Sequence, residues 1–128
     1  MAGKVVLVVG GGGREHALCM ELKHSPHVSE LHCSPGNAGT SRLATNHSIS
    51  ATDIEGLLSL AQRIDADLVV AGPEAPLCSS LADRLSAIGI PCFGPVAELA
   101  NLEGSKLHAK QVMRAANVPT AAFHVLSS

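Results

Sequence analysis

The apolar residues fall into short unbroken runs, separated by segments in which they recur every three or four positions. Val5 to Val9 is aliphatic and mostly β-branched, the pattern of a strand buried on both faces. From Arg14 to about His24 the spacing turns helical, with Leu18 and Leu22 one turn apart, and Ser25-Pro26 ends it. Leu31-His32-Cys33 predicts a second strand, and the pattern allows a short third one over His47 to Ser50. Thr52 with Glu55 three residues on forms a capping box ahead of Ile54, Leu57, Leu58 and Ala61, predicting a helix over about 53 to 64. Asp67 to Ala71 is the next buried run. Leu77, Leu81, Leu85 and Ile88 then share one helical stripe, opened by Pro76 and stopped by Gly89. Ile90 to Phe93 predicts a last strand. Ser105 caps a helix from about Lys106 to Ala116, whose buried side would carry Ala109, Val112, Met113 and Ala116. Thr120 to Ser128 is apolar with no partner in the chain and reads as the beginning of something cut off.

Alternating strands and helices predict an α/β fold, a Rossmann-like parallel sheet with helices on both faces. The common winding gives strand order 3-2-1-4-5, which sets the Val5 and Leu68 strands side by side at the switch point. The crevice outside their carboxyl ends is then bordered by Gly10 to His16 and by Gly72 to Leu77.

Composition narrows what such a crevice serves. The chain has 128 residues, 46% of them hydrophobic, enough for one domain with a real core. Charged residues make up only 16% and the formal net charge is -2, without a block of like charge, so nucleic acid and anionic membrane are not expected partners. Two phenylalanines and no Trp or Tyr leave no stacking platform for single strands. Cys19, Cys33, Cys78 and Cys92 lie far apart without a C-x-x-C pair and read as buried free thiols, which implies a reducing, cytoplasmic setting. The first apolar run, about five residues, is too short for a signal peptide or membrane span. The seven histidines form no H-x-x-x-H pair, so no metal centre is expected, and no nucleophile and base pair stands out.

The turn Gly10-Gly11-Gly12-Gly13-Arg14-Glu15-His16 does not match the dinucleotide fingerprint. Glu15 or His16 stands where the third small residue belongs, and the second strand ends in Cys33-Ser34-Pro35 without an acid for a ribose hydroxyl. No Gly-Lys-Ser/Thr follows either, which removes the P-loop. What remains is a helix N-terminus with approachable N–H groups, an anion site to which Arg14 would add a charge-assisted bond. A single phosphorylated metabolite fits this better than NAD; the plainer alternative is a tight turn with Arg14 and Glu15 a solvated pair. Glu74 opens a helix on the opposite lip, as a dipole-stabilising acid or as an acceptor for ribose hydroxyls or an amine. Pro35 to Thr40 is either a lid over the crevice or a surface turn, and His16 either packs or touches substrate.

Four motifs then read together: GGGGREHA (Gly10 to Ala17), PGNAGT (Pro35 to Thr40), GPEAPL (Gly72 to Leu77) and FGP...LEGSK (Phe93 to Lys106). In this order and spacing they closely resemble the N-terminal region of the phosphoribosylamine-glycine ligase (glycinamide ribonucleotide synthetase) family, of the ATP-grasp type. The family usually carries Asn or Ser where Gly11 stands, a departure that removes a side-chain bond without closing the site. The resemblance implies an enzyme in which ATP phosphorylates glycine and the amine of 5-phosphoribosylamine attacks the acyl phosphate, giving glycinamide ribonucleotide in purine synthesis. It implies a pre-ATP-grasp, substrate-binding domain over 1–104, then a linking helix and the start of a truncated ATP-grasp domain over 105–128. Gly10, Gly11, Gly12, Gly13, Arg14, Glu15, Asn37, Gly72, Pro73, Glu74 and Pro76 would line the phosphoribosylamine site. Lys106 would approach the ATP phosphates, and the Mg²⁺ ligands would lie further along. The chain by itself is expected to be a fragment with no catalytic residue and no ligase activity; the competing reading is a stand-alone Rossmann-like module that senses a sugar phosphate or nucleotide.

Overall fold

A computed structural model describes residues 2–126, with the side chains of Glu74 and Cys78 outside the description. The sheet has five strands: β1 (Lys4–Gly10), β2 (Val28–Pro35), β3 (Thr45–Asn46), β4 (Leu68–Ala71) and β5 (Cys92–Phe93). They are all parallel, in the order β3-β2-β1-β4-β5, as the winding predicts. Between them run α1 (Gly13–His24), α2 (Ile54–Arg63), α3 (Glu74–Cys78) and α4 (Leu81–Ala87), and α5 (Ala97–Gly104) and α6 (Lys106–Ala115) follow.

The period of two along β1 sorts its side chains onto two cores. Val6 and Val8 face α1 with Cys19, Leu31 and Cys33, flanked by Leu18 and Leu22. Leu7 and Val9 face the other layer with Leu57, Leu60, Leu77, Leu81 and Leu85. The central strand is therefore apolar on both sides, and its ends carry the functional loops. Each fully buried leucine contributes about 1.5–3 kcal/mol.

Several elements depart from the expected ones for local reasons. The cap of α2 is Asp53, not Thr52: its carboxylate accepts the Gly56 N–H at 3.0 Å, while Glu55 turns outward to Arg84. The third strand forms at Thr45–Asn46, not over 47–50: after the His47 N–H bonds the Cys33 carbonyl at 2.9 Å, the Ser34 hydroxyl reaches the carbonyls of His47 and Ile49 at 3.1 and 2.7 Å. The single helix expected along Leu77, Leu81, Leu85 and Ile88 is two, broken at Ser80, which is left-handed at φ 68°. The break keeps Leu77, Leu81 and Leu85 inward but leaves Ile88 exposed, and Gly89 at φ 80° ends α4 as expected.

The C-terminal part differs most. α5 has no counterpart in the sequence reading, since its cap position is Val96, without a side-chain bond, and only Ala100 of its residues is buried. Ser105 does cap α6, accepting the His108 N–H at 3.2 Å. Yet none of Ala109, Val112, Met113 and Ala116 is buried. Residues 120–126 form no strand; they run beside α6, with the Arg114 guanidinium 4.7 Å from the centre of the Phe123 ring. Ser127 and Ser128 lie outside the described residues.

Cys19 and Cys33 are buried free thiols, as expected, while Cys92 is half-buried and its thiol is pushed up to about 11 by that burial. At the β3 edge, buried His32 bonds Glu30 at 2.7 Å through Nε2 and His47 at 2.9 Å through Nδ1. Burial, then the neighbouring His32 and Arg63, lowers the His47 pKa below its usual value.

Leu60 is completely buried between α2 and the sheet, whereas Leu99 is 57% exposed. Leu60→Ala is expected to cost about 3 kcal/mol in urea denaturation, and Leu99→Ala no more than about 0.5 kcal/mol.

Candidate functional site

β1 and β4 pair side by side, Val9 against Ala71, so the chain leaves the sheet at Gly10 and at Gly72 on neighbouring strands. The two loops therefore leave the sheet next to one another at the switch point. Gly10 is buried at φ 130°, a conformation that favours glycine, and its carbonyl accepts the Gly36 N–H at 3.0 Å. Gly11, Gly12, Gly13 and Arg14 are exposed at the mouth.

Glu15 points the opposite way. The residue is only 4% exposed, and its Oε2 accepts the Gly12 N–H at 2.7 Å, the reach-back half of a capping box whose other half Gly12, without a side chain, cannot return. Its Oε1 accepts from Arg14 Nε at 3.2 Å. A Cβ on Gly10 would stand 2.6 Å from the Glu15 side chain, and one on Gly72 would overlap Glu15 Oε1. The carboxylate thus occupies the space that two glycines on two strands leave empty. This pair is not simply solvated: the Arg14 side chain is 55% exposed and that of Glu15 5%.

The first turn of any α-helix leaves N–H groups without intrahelical acceptors. Among the described residues, those of Gly13, Arg14 and Glu15 find no protein acceptor, and the first bond of α1 is His16 N–H to the Gly12 carbonyl at 3.1 Å. The turn thus presents open donors, a helix N-terminus and a half-exposed guanidinium, a combination suited to a phosphate.

Asn37 fixes the outer wall. Its amide Nδ2 donates to the carbonyls of Gly11 and Gly12 at 3.0 and 3.1 Å, and its Oδ1 accepts the N–H groups of Gly39 and Thr40. Asn46 Nδ2 donates to the Asn37 carbonyl, and buried Thr40 donates through Oγ1 to Asn46 Oδ1 at 2.9 Å. Residues 35–40 therefore form a wall bonded to the glycine turn. The His16 ring packs on Gly39, where a Cβ would come within 2.8 Å of it. Asn46 was not legible as part of this wall, since a lone Asn on an edge strand carries no sequence signal.

On the other lip Gly72 and Pro73 are half-buried and Pro76 is fully buried beneath the surface. Glu74 begins α3, and the direction of its side chain lies outside the described residues. Lys106 is not brought to this crevice: it lines a separate cleft of about 300 Å³ with Leu107, Lys110 and Phe123.

The family model described as phosphoribosylglycinamide synthetase, N domain, matches residues 4–103. The chain belongs to this family. The phosphoribosylglycinamide synthetase N domain thus spans all five strands, the glycine turn and both lips. Phosphoribosylamine–glycine ligase of Streptomyces coelicolor is 53% identical over 96% of this chain, and that of Mycobacterium tuberculosis H37Rv 50% over the same share. The chain spans about 30% of the length of these curated relatives. The crystal structure of the Thermotoga maritima phosphoribosylamine–glycine ligase matches 93% of this chain and 26% of its own, with a TM-score of 0.64 and 32% identity. A biotin carboxylase domain of a 2-oxoglutarate carboxylase shares the fold at a TM-score of 0.68 with 19% identity.

The two lips make opposite demands on glycine. A Cβ at position 13 meets nothing within 4 Å, so Gly13→Ala is expected to leave thermal stability unchanged or raise it by up to about 1 kcal/mol. Gly72→Ala collides with the buried carboxylate and is expected to cost at least about 2 kcal/mol in the same melting series.

Proposed function

We propose that this chain is the substrate-binding domain of a phosphoribosylamine–glycine ligase and holds the phosphoribosyl half of 5-phosphoribosylamine. The observation that carries this reading is the open first turn of α1, with Arg14 above it, facing the Gly72 lip in a member of this family. The phosphate sits on the N–H groups of Gly13 and Arg14 and bonds the Arg14 guanidinium. The sugar lies across the crevice, between the Asn37 wall and residues Gly72, Pro73 and Glu74. That leaves the amine pointing out of the domain, toward the remainder of a full-length ligase.

In that whole enzyme ATP would phosphorylate the glycine carboxylate, releasing ADP, and the amine would displace phosphate from the acyl phosphate to give glycinamide ribonucleotide. Residues 1–104 form the binding unit in this reading, and residues 105–128 lead into the ATP-grasp part, with exposed Lys106 available to ATP phosphates. No group of three or more His, Cys, Asp or Glu among the described residues is arranged to hold a metal, so no residue here is assigned to Mg²⁺. No helix among them is long and apolar enough to cross a membrane, and the proposed setting is the cytoplasm.

Calorimetric titration with ribose 5-phosphate and with NAD tests the reading. The sugar phosphate is expected to bind and NAD not to; binding of NAD alone would overturn the proposal in favour of a dinucleotide module. Arg14→Ala is expected to weaken sugar-phosphate affinity roughly tenfold or more, with the melting temperature nearly unchanged. An unaltered affinity would remove Arg14 from the site.

A further inference from the structure

We infer that Glu15 is a positioning residue of this site: it pins the Arg14 guanidinium at the glycine turn and fills the space between the two lips, without itself touching the sugar phosphate. The inference rests on the proposed function above and refines it, because it takes one residue out of the ligand-contacting set and gives it a separate task.

Both oxygens of Glu15 are committed inward. Oε2 is held by the Gly12 N–H at 2.7 Å and Oε1 by Arg14 Nε at 3.2 Å, with the side chain 5% exposed. A carboxylate that deep has no face left for a sugar hydroxyl, and an ionised one beside a phosphate would repel it. What makes its burial tolerable is the surrounding positive potential: the N-terminus of α1 and the Arg14 charge. The same bond explains how Arg14 serves an anion. Holding the guanidinium by Nε leaves both terminal amino groups without an acceptor among the described residues, still in the planar fork that suits a phosphate. Left to itself, a half-exposed arginine would sample many rotamers and lose that aim.

The carboxylate also reads the other lip. Its Oε1 lies where a Cβ of residue 72 would be, and its Cγ and Cδ lie 2.6 Å from where a Cβ of residue 10 would be. Gly10 ends β1 and Gly72 follows β4. Any shift of one strand end against the other is therefore felt at Glu15 and passed on to Arg14.

Glu15→Gln is nearly isosteric and keeps an acceptor for the Gly12 N–H, but loses the charge that holds Arg14. A merely structural Glu15 would make this variant bind ribose 5-phosphate as well as the parent, or more tightly, since a negative charge has gone. A positioning Glu15 makes it bind roughly five- to tenfold more weakly, and makes that loss vanish in the Arg14→Ala background. The experiment is this double-mutant cycle, read by calorimetry, with NMR of the Arg14 Nε–H in the unaltered chain as a readout that needs neither ligand nor variant. The Nε–H is expected to exchange slowly with water. Additive effects in the cycle, or a rapidly exchanging Arg14 Nε–H, would overturn the inference while leaving the proposed function standing. Failure of the unaltered chain to bind ribose 5-phosphate would take down both.

Discussion

The buried carboxylate of Glu15 is the constraint around which this end of the sheet is arranged. A charge at 4% exposure survives only with donors on it, and the structure supplies them from the Gly12 backbone and from Arg14. Its bulk then decides what its neighbours must be. Gly10 and Gly72 give up their side chains to make room, one at the end of each strand flanking the switch point. Dinucleotide-binding turns use a third small residue for close helix–strand packing. Here a long acid fills that volume, and close packing is exchanged for an internal cap and a held arginine.

The outer wall follows the same logic with neutral groups. Asn37 closes on the carbonyls of Gly11 and Gly12, Asn46 closes on Asn37, and Thr40 joins the two from a fully buried position. Short as it is, β3 matters because it carries Asn46 into that network, and the Glu30–His32–His47 chain steadies its edge. The glycine turn is thus gripped from beneath by a charge and from outside by an amide, which leaves its first-turn N–H groups pointing outward.

Much of this was legible in the sequence because the determining signals are local. The apolar run Val5 to Val9, the alternation of periods and the loops at Gly10 and Gly72 give the sheet order and the crevice without further information. The breaks came at single backbone and cap positions that apolar spacing does not encode. Ser80 adopts a left-handed conformation that divides an otherwise continuous leucine stripe, and Asp53 takes the cap from Thr52 because its carboxylate meets the Gly56 N–H. α5 has no capping side chain at Val96 and no buried stripe, and its first N–H goes to the distant Asp83 carboxylate at 3.1 Å, so nothing in its own residues announced it. At the site itself, the spacing of Glu15 was visible but its direction was not: a residue three positions into a helix can face ligand or core. Only the overlap with Gly72, 57 positions away in the chain, decides it.

The central claim is that one anion site lies on the first turn of α1, between two lips packed against Glu15. Backbone amide shifts followed by NMR during a ribose 5-phosphate titration test it most directly. The account predicts that the amides of Gly11, Gly12, Gly13 and Arg14 move together and saturably, with smaller changes at Gly72 across the crevice. Changes confined to the Lys106 to Phe123 cleft, with the glycine turn silent, would contradict it.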